Sequence, residues 1–215
     1  MGFVADNAGL ILEGFWTTVR LAALSGVLAL AVGTVLAVLR VCPVPTLRWA
    51  GAGYVTVLRN TPLTLVFVFS TFGLPRLDIR LSFFAFAVIA LTAYTSAFVC
   101  EAVRSGINAV APGEIEAARS IGLPFGQTLA LVVLPQAFRA VIPPLSGLFI
   151  ALTKNTSIAV AFSVAEATSI LRRLQNADAS ATFPLLLSTA AGYLVLSLGI
   201  SFAFSRLERR VADTR

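Results

Sequence analysis

The sequence contains no histidine, two cysteines and a single lysine, Lys154. Without histidine it lacks the commonest metal ligand and general base of enzymes. Cys42 and Cys100 have no metal-type spacing and fall near predicted cytoplasmic helix ends, so we expect neither a disulfide nor a metal site. A P-loop needs Gly-x-x-x-x-Gly-Lys, and no such loop precedes Lys154. We therefore expect no catalytic site and no bound nucleotide on this chain.

Charge is also scarce, at 12% of 215 residues, whereas 58% are hydrophobic and the mean hydropathy is +0.91. Soluble domains are about a quarter charged, so this composition excludes an ordinary soluble enzyme and a disordered chain. The net charge of +6 comes without a basic cluster interleaved with stacking aromatics. We expect no nucleic-acid partner, because a positive bias towards the inner leaflet accounts for this charge.

Five apolar regions predict an all-α integral membrane protein with about five transmembrane helices, since a span needs about 20 mostly apolar residues. The predicted spans are about 15–39, 47–74, 81–103, 137–162 and 184–204. The start of the second span is open between Leu47 and Tyr54. We find no repeat or linker, which predicts one membrane domain over 15–205. An extracytoplasmic segment, 1–14, precedes it and a cytoplasmic tail, 206–215, follows.

The distribution of charge predicts the orientation. The first 14 residues contain Asp6 and Glu13 but no Lys or Arg, whereas Arg40 and Arg48 follow the first span. This places the N-terminus outside and, after five spans, the C-terminus in the cytoplasm. The inner segments then hold Arg40, Arg48, Arg104, Arg119, Arg206, Arg209, Arg210 and Arg215. The outer segments hold half as many, namely Arg76, Arg80, Arg172 and Arg173.

The polar loop 104–126 contains the marks of a short helix. Acidic residues lie in its first turn and a basic residue lies in its last turn. Both placements stabilise a helix through favourable interaction with the helix dipole. A glycine is placed to adopt the left-handed conformation after the helix, and a proline prevents its continuation. In chain order these residues, with the proline before the start, are Pro112, Glu114, Glu116, Arg119, Gly122 and Pro124. The narrow middle, Ala117–Ala118, leaves two interpretations open: a surface helix on the inner leaflet, or a helix that inserts into another protein.

Polar residues also interrupt the second predicted span. A charge inside a span costs about 2.5–3.5 kcal/mol, and Arg59 lies near the bilayer centre if the helix begins at Leu47. If the helix begins at Tyr54, Arg59 is an inner-edge residue instead. Pro62 frees a backbone carbonyl and predicts a kink. The neighbouring polar residues either satisfy freed backbone groups or contact a solute, and they are Asn60, Thr61 and Thr64.

Four consecutive polar residues, Lys154-Asn155-Thr156-Ser157, interrupt the fourth predicted span. They cover all sides of a regular helix, so we expect a broken helix that lines a cavity. Arg59 and Lys154 together either attract the carboxylate of an amino acid or pair internally, for example with Glu101 or Glu166. Glu101 otherwise pairs with Arg104, and Glu166 is otherwise an outer-loop residue that faces a binding protein.

Glu116-Ala117-Ala118, three residues, Gly122, nine residues and Val132-Val133-Leu134-Pro135 together resemble the EAA loop of ABC-importer permeases. Only Val132 departs from that pattern, which has Ile there. Further segments resemble the polar amino-acid branch, and most of all glutamate-uptake permeases. These segments are Arg59–Leu63, Tyr94–Phe98, Arg104–Ile107 and Lys154–Ser157. The resemblance covers roughly 15–205.

This resemblance implies the ABC type-1 importer permease fold in the cell membrane of a prokaryote, surrounded by lipid. Two permease subunits, identical or related, would form the pathway. A cytoplasmic ATPase dimer would bind ATP and Mg, and an extracytoplasmic binding protein would deliver a polar amino acid. The implied coupling residues are Glu114, Glu116, Ala117, Ala118, Arg119 and Gly122. The candidate pathway residues are Arg59, Asn60, Thr61, Thr64, Ser96, Lys154, Asn155, Thr156 and Ser157.

Two other functions are weighed against this one. A stand-alone ion-coupled amino-acid carrier would need titratable groups within the membrane, and Glu101 is the one marginal candidate. A scaffold without transport gives no reason for the polar interruption at Lys154. If the loop helix couples to an ATPase, Ala118→Arg is expected to abolish transport and leave membrane insertion intact.

Overall fold

The computed structural model describes residues 2–212 as an all-α protein, and no strand occurs in that range. The α-helices are α1 (Gly2–Asp6), α2 (Ala8–Val41), α3 (Pro45–Asn60), α4 (Leu63–Val68), α5 (Phe83–Asn108), α6 (Pro112–Ser120), α7 (Phe125–Gln127), α8 (Leu134–Asn155), α9 (Ala167–Ala177) and α10 (Thr182–Ala212). Two π-helical segments, Phe69–Gly73 and Thr128–Val133, occur between them. Short 3₁₀ segments occupy Leu74–Leu77, Thr156–Phe162 and Ala179–Ala181.

Four helical regions are long and apolar enough to cross a membrane. They are Ala8–Val41, Phe83–Asn108, Phe125–Phe162 and Ala179–Val211. A helix satisfies its own backbone hydrogen bonds, which is why long apolar segments take this form in lipid. The 34 residues of α2 extend about 51 Å at 1.5 Å per residue, more than the roughly 30 Å hydrocarbon core requires. The predicted fold class, an all-α membrane protein with about five spans, is confirmed, with four such regions here and a fifth candidate that is broken.

The second predicted span is broken. Its first half, α3, begins at Pro45, and its second half, Leu63–Leu77, leaves it at an angle of 108°. The break falls at Thr61, whose backbone is extended, because the residue before a proline avoids the helical conformation. The two halves count together as the fifth candidate span. The kink predicted at Pro62 is therefore present, and the helix starts earlier than either predicted residue.

Helix α5 occupies the centre of the bundle and packs against α2, α3, α4 and α8. Its inward face is buried and continuous, from Phe86 to Ile107. Close approach to α8 depends on Gly106, where a Cβ atom would come within 2.5 Å of Val141 and 2.7 Å of the Ala137 carbonyl oxygen. Because any larger residue would separate the helices here, Gly106 sets the distance between α5 and α8 next to the polar loop.

Between the fourth and fifth predicted spans the chain forms a further helix, α9. Helix α9 has one apolar face, formed by Ala167, Ile170 and Leu174, and this face is buried. Ile170 and Leu174 pack in one cluster with Leu185 of α10 and with Ala181 of the preceding 3₁₀ segment. Most of its other residues are polar, although Leu171 also packs on this cluster. A short amphipathic segment of this kind resembles a loop when only its average polarity is considered.

The chain is helical at both ends of the described range. Residues 2–6 and 8–14 are helical, and Leu10 and Ile11 pack on the same cluster as α9. At the other end α10 continues through Arg206 and Glu208. The predicted inner-segment residue Arg215 lies outside the described residues. Both α2 and α10 are therefore longer than their apolar regions, since each helix continues into polar residues near the chain end.

Candidate functional site

The polar loop forms α6 with both ends defined by local sequence. Pro112 occupies the first helical turn, where its missing N–H group costs nothing. At the other end Gly122 has φ +88°, in the left-handed region. The Gly122 N–H donates to the Arg119 carbonyl at 3.0 Å, and the Leu123 N–H donates to the Ala118 carbonyl at 3.2 Å. These two bonds form a complete Schellman motif, so the predicted left-handed glycine is present.

The two alanines of α6 face opposite ways. Ala118 is 5% exposed, whereas Ala117 is exposed together with Glu116 and Arg119. The buried side packs on the π-helical segment Thr128–Val133. An arginine at position 118 would displace the chain's own packing, so Ala118→Arg does not test contact with a partner by itself. Ala117 is the alanine that another protein could contact.

Helix α6 is also joined to the start of α8. The Gln136 side chain donates a hydrogen bond to the Glu114 carboxylate. Ile121, just after the helix, is 78% exposed, so an apolar side chain stands next to the charged face of α6. This combination of one fixed side and one exposed, mixed face suits a helix that transmits force between two proteins.

A cluster of charges lies where α2, α3 and α5 meet. Glu101 of α5 pairs with Arg40 of α2 and with Arg104 at 2.9 Å. Arg59, at the end of α3, lies 3.6 Å from the same carboxylate and over the ring of Phe98. Internal pairing, one of the two alternatives for Arg59, is thus the arrangement present. Sequence reasoning missed Arg40, because it is 61 residues from Glu101 and no local pattern links them.

The polar residues at the break satisfy backbone groups. Asn60 donates to the Thr56 carbonyl at 2.7 Å, and Thr61 donates to the Val57 carbonyl at 2.8 Å. Thr61 also lines a mostly apolar cavity of about 550 Å³ between α3, α4 and α5. Thr64 is exposed. A capped helix end beside a cavity is compatible with either role, structural or solute-contacting, that the sequence left open.

Ser96 is fully buried and connects two helices. Its hydroxyl donates to the Ala93 carbonyl at 2.9 Å and lies 3.0 Å from the Tyr54 hydroxyl of α3. The Tyr54 hydroxyl also donates to the Ala93 carbonyl. Ser96 therefore holds α3 against α5 and does not open into a cavity. The contact with Tyr54 could not be predicted, because the two residues are 42 positions apart in the chain.

The four polar residues of the fourth span lie where the helix changes type. Helix α8 ends at Asn155 and continues as a 3₁₀ helix from Thr156 to Phe162. Thr156 is buried and donates to the Thr153 carbonyl, whereas Lys154 is exposed. Within residues 2–212, Lys154 forms no ion pair. Arg59 and Lys154 therefore differ in their ion pairing. The Arg59 guanidinium lies against the Glu101 carboxylate, whereas the Lys154 ammonium has no carboxylate partner within residues 2–212.

Glu166 is completely buried, so the expectation of an outer-loop residue that faces a partner is wrong. It caps α9 by accepting the N–H groups of Thr168 and Ser169, each at 2.9 Å, and it accepts the Tyr193 hydroxyl at 3.1 Å. Burial raises the pKa of the Glu166 carboxyl above its ordinary value, against the opposing effect of these hydrogen bonds. The residue is a structural link between α9 and α10.

Among the described residues, no group of three His, Cys, Asp or Glu side chains is placed to hold a metal ion. Cys42 and Cys100 are buried free thiols. The exposed α6, the broken second span and the polar interruption of α8 describe a class of protein: a multi-span membrane protein with polar breaks in two candidate spans and a helix that another protein could engage.

The chain belongs to the family described as binding-protein-dependent transport system inner membrane components, whose model matches residues 14–213. It is therefore a permease component of a transport system with several parts, and this family is not itself catalytic. Membership favours the importer hypothesis over a carrier that works alone.

Similar proteins are amino-acid ABC permeases. The chain is 40% identical to the glutamate transport system permease protein GluC of Corynebacterium glutamicum, over 97% of this chain and 96% of the relative. It is 38% identical to the probable glutamine ABC transporter permease protein GlnM of Bacillus subtilis, over 96% and 95%. A crystal structure of an amino acid ABC transporter with histidines matches with a TM-score of 0.86, 29% identity and 96% coverage of both chains.

Proposed function

We propose that this chain is the permease subunit of an ATP-driven importer for glutamate or a similar polar amino acid in a prokaryotic cell membrane. The observation that carries the proposal is α6, a capped helix with an exposed alanine at the centre of the EAA-like segment. The relatives named above as glutamate and glutamine permeases support the substrate class. Family membership supports an extracytoplasmic binding protein as the source of the amino acid.

We infer three protein partners. A separate ATPase dimer, which binds ATP and Mg, would receive the exposed face of α6 at Glu116, Ala117 and Arg119. A second permease, identical or related, would complete the pathway. The binding protein would dock on the opposite side of the membrane, where α9 exposes Arg172 and Arg173.

The pathway within this chain would pass the polar interruption of α8. Lys154 is exposed and has no ion-pair partner among residues 2–212, so its ammonium group is free to attract a carboxylate. Arg59 is 45% exposed but lies against Glu101, so it would contribute positive potential and not a direct contact in this conformation.

The test is Ala117→Arg in the complete transporter, reconstituted in vesicles with its ATPase and its binding protein. The large cation should block docking of α6, abolish both uptake and the stimulation of ATP hydrolysis by the loaded binding protein, and leave abundance unchanged. Ala50→Arg, at an exposed alanine of α3, is the matched control and should be active. Normal uptake by Ala117→Arg would contradict the coupling role, and competition among unlabelled amino acids would identify the substrate.

A further inference from the structure

Two adjoining cavities lie between α8 and α10 at the end of the bundle that carries α6. The first, of about 390 Å³, is an apolar groove. It is lined by Leu30, Phe138, Ile142, Phe149 and Phe204. The second, of about 550 Å³, is the more polar of the two, and its lining includes Glu114, Gln136 and Glu208. Arg139 lines both cavities, and so does Val211.

The apolar groove lies on helices that cross the membrane, so its natural occupant is a hydrocarbon chain. An empty groove would lose van der Waals contacts along its walls, and water has no hydrogen-bond partners there. At its polar end the groove meets the Arg139 guanidinium, which is exposed and forms no ion pair within residues 2–212. A guanidinium at the edge of an apolar groove is suited to a phosphate group.

The polar cavity adds a second requirement on the ligand. Besides Arg139 it contains two carboxylates, Glu114 and Glu208. Glu114 accepts a hydrogen bond from Gln136, and Glu208 has no ion-pair partner in the described part of the chain. One cation beside two anions disfavours a headgroup that is purely anionic and favours one that carries a phosphate and an ammonium together.

We propose that these cavities form a binding site for one zwitterionic phospholipid with a primary amine, of the phosphoethanolamine class. One acyl chain lies in the groove, the phosphate contacts Arg139, and the ammonium lies between Glu114 and Glu208. Since Glu114 belongs to α6, Arg139 to α8 and Glu208 to α10, this lipid would bridge the three helices from the inner leaflet.

The test measures lipid retention by the complete transporter in nanodiscs. Phosphatidylethanolamine, phosphatidylcholine and phosphatidylglycerol with identical acyl chains compete at equal amounts, and bound lipid is counted by native mass spectrometry. We expect phosphatidylethanolamine to be enriched over the other two, by about tenfold if one charge-assisted hydrogen bond separates them. Arg139→Gln should remove retention of all three, whereas Arg139→Lys should keep it.

Glu208→Gln should reduce the preference for the primary amine but leave phospholipid bound. Arg206→Gln, at an exposed arginine of α10 that lines neither cavity, is the control and should behave as the wild type. Equal retention of the three lipids, or a preference for phosphatidylglycerol, would overturn the headgroup assignment. The site would be overturned if Arg139→Gln retained as much phospholipid as the wild type. It would also be overturned if a second copy of the chain covered the groove and no lipid occupied it.

Discussion

At the scale of single residues, Glu101 faces three guanidinium groups that come from α2, α3 and α5. One carboxylate beside three cations leaves a local excess of positive charge inside the bundle. A charged side chain within a span has a high free-energy cost unless an opposite charge neutralises it. Glu101 supplies that opposite charge for Arg40 and Arg104. The same carboxylate fixes the end of α3 next to its break.

We therefore predict that Glu101→Gln destabilises the protein. Removing the negative charge leaves Arg40 and Arg104 without a counter-ion, and the expected loss is about 2 kcal/mol, below the value for fully buried pairs because Glu101 keeps some exposure. The midpoint temperature of thermal unfolding in detergent should be lower for Glu101→Gln than for the wild type. Asp78→Asn is the control, since its pair with Arg80 at 4.0 Å is almost fully exposed. Equal midpoints for Glu101→Gln and wild type would contradict the role of the cluster.

Lys154 gives a second prediction at this scale. Because it is exposed and unpaired within residues 2–212, Lys154→Leu should leave the folded protein intact and lower uptake of the amino acid by about tenfold, the loss of one charge-assisted contact. Lys154→Arg retains the charge and should retain most of the uptake. The measurement is initial uptake in vesicles, normalised to the amount of permease. Equal uptake by Lys154→Leu and wild type would remove Lys154 from the pathway.

At the scale of elements, the features that sequence predicts well are those set by neighbours in the chain. The ends of α6 and the break at Pro62 follow from proline, glycine and charge at fixed offsets, and the structure has them. Helix α9 was missed because its polar face dominates the average, although Ile170 and Leu174 mark an apolar stripe. The ion pair of Glu101 with Arg40 and the burial of Glu166 could not be predicted from the sequence, because both depend on contacts between helices that are far apart in the chain.

The end of α6 supports a prediction of its own. At φ +88° an alanine costs about 1 kcal/mol, and no neighbouring atom lies within 4 Å of the added Cβ. Gly122→Ala should therefore loosen the Schellman motif and speed hydrogen exchange of the last α6 amides by about fivefold. Gly113→Ala, within the same helix and equally unhindered, should slow exchange or leave it unchanged. Faster exchange in both variants would show that the backbone conformation of Gly122 is not the cause.

At the scale of the whole molecule, α6 and α9 should lie on opposite sides of the membrane. The chain between them contains α8, whose 22 residues extend about 33 Å, and the 3₁₀ helix after it. Together these exceed the roughly 30 Å hydrocarbon core. The excess of arginine in the predicted inner segments favours the topology in which α6 lies in the cytoplasm and α9 lies outside.

Cysteine labelling tests this orientation, because both native cysteines are buried and should react slowly. Ser120→Cys places an exposed thiol at the end of α6, and Asn176→Cys places one on α9. In intact cells a membrane-impermeant maleimide should label Asn176→Cys alone, and Ser120→Cys should react only after permeabilisation. Labelling of Ser120→Cys in intact cells would put α6 outside, where no cytoplasmic ATPase reaches it, and would refute both the topology and the coupling role built on it.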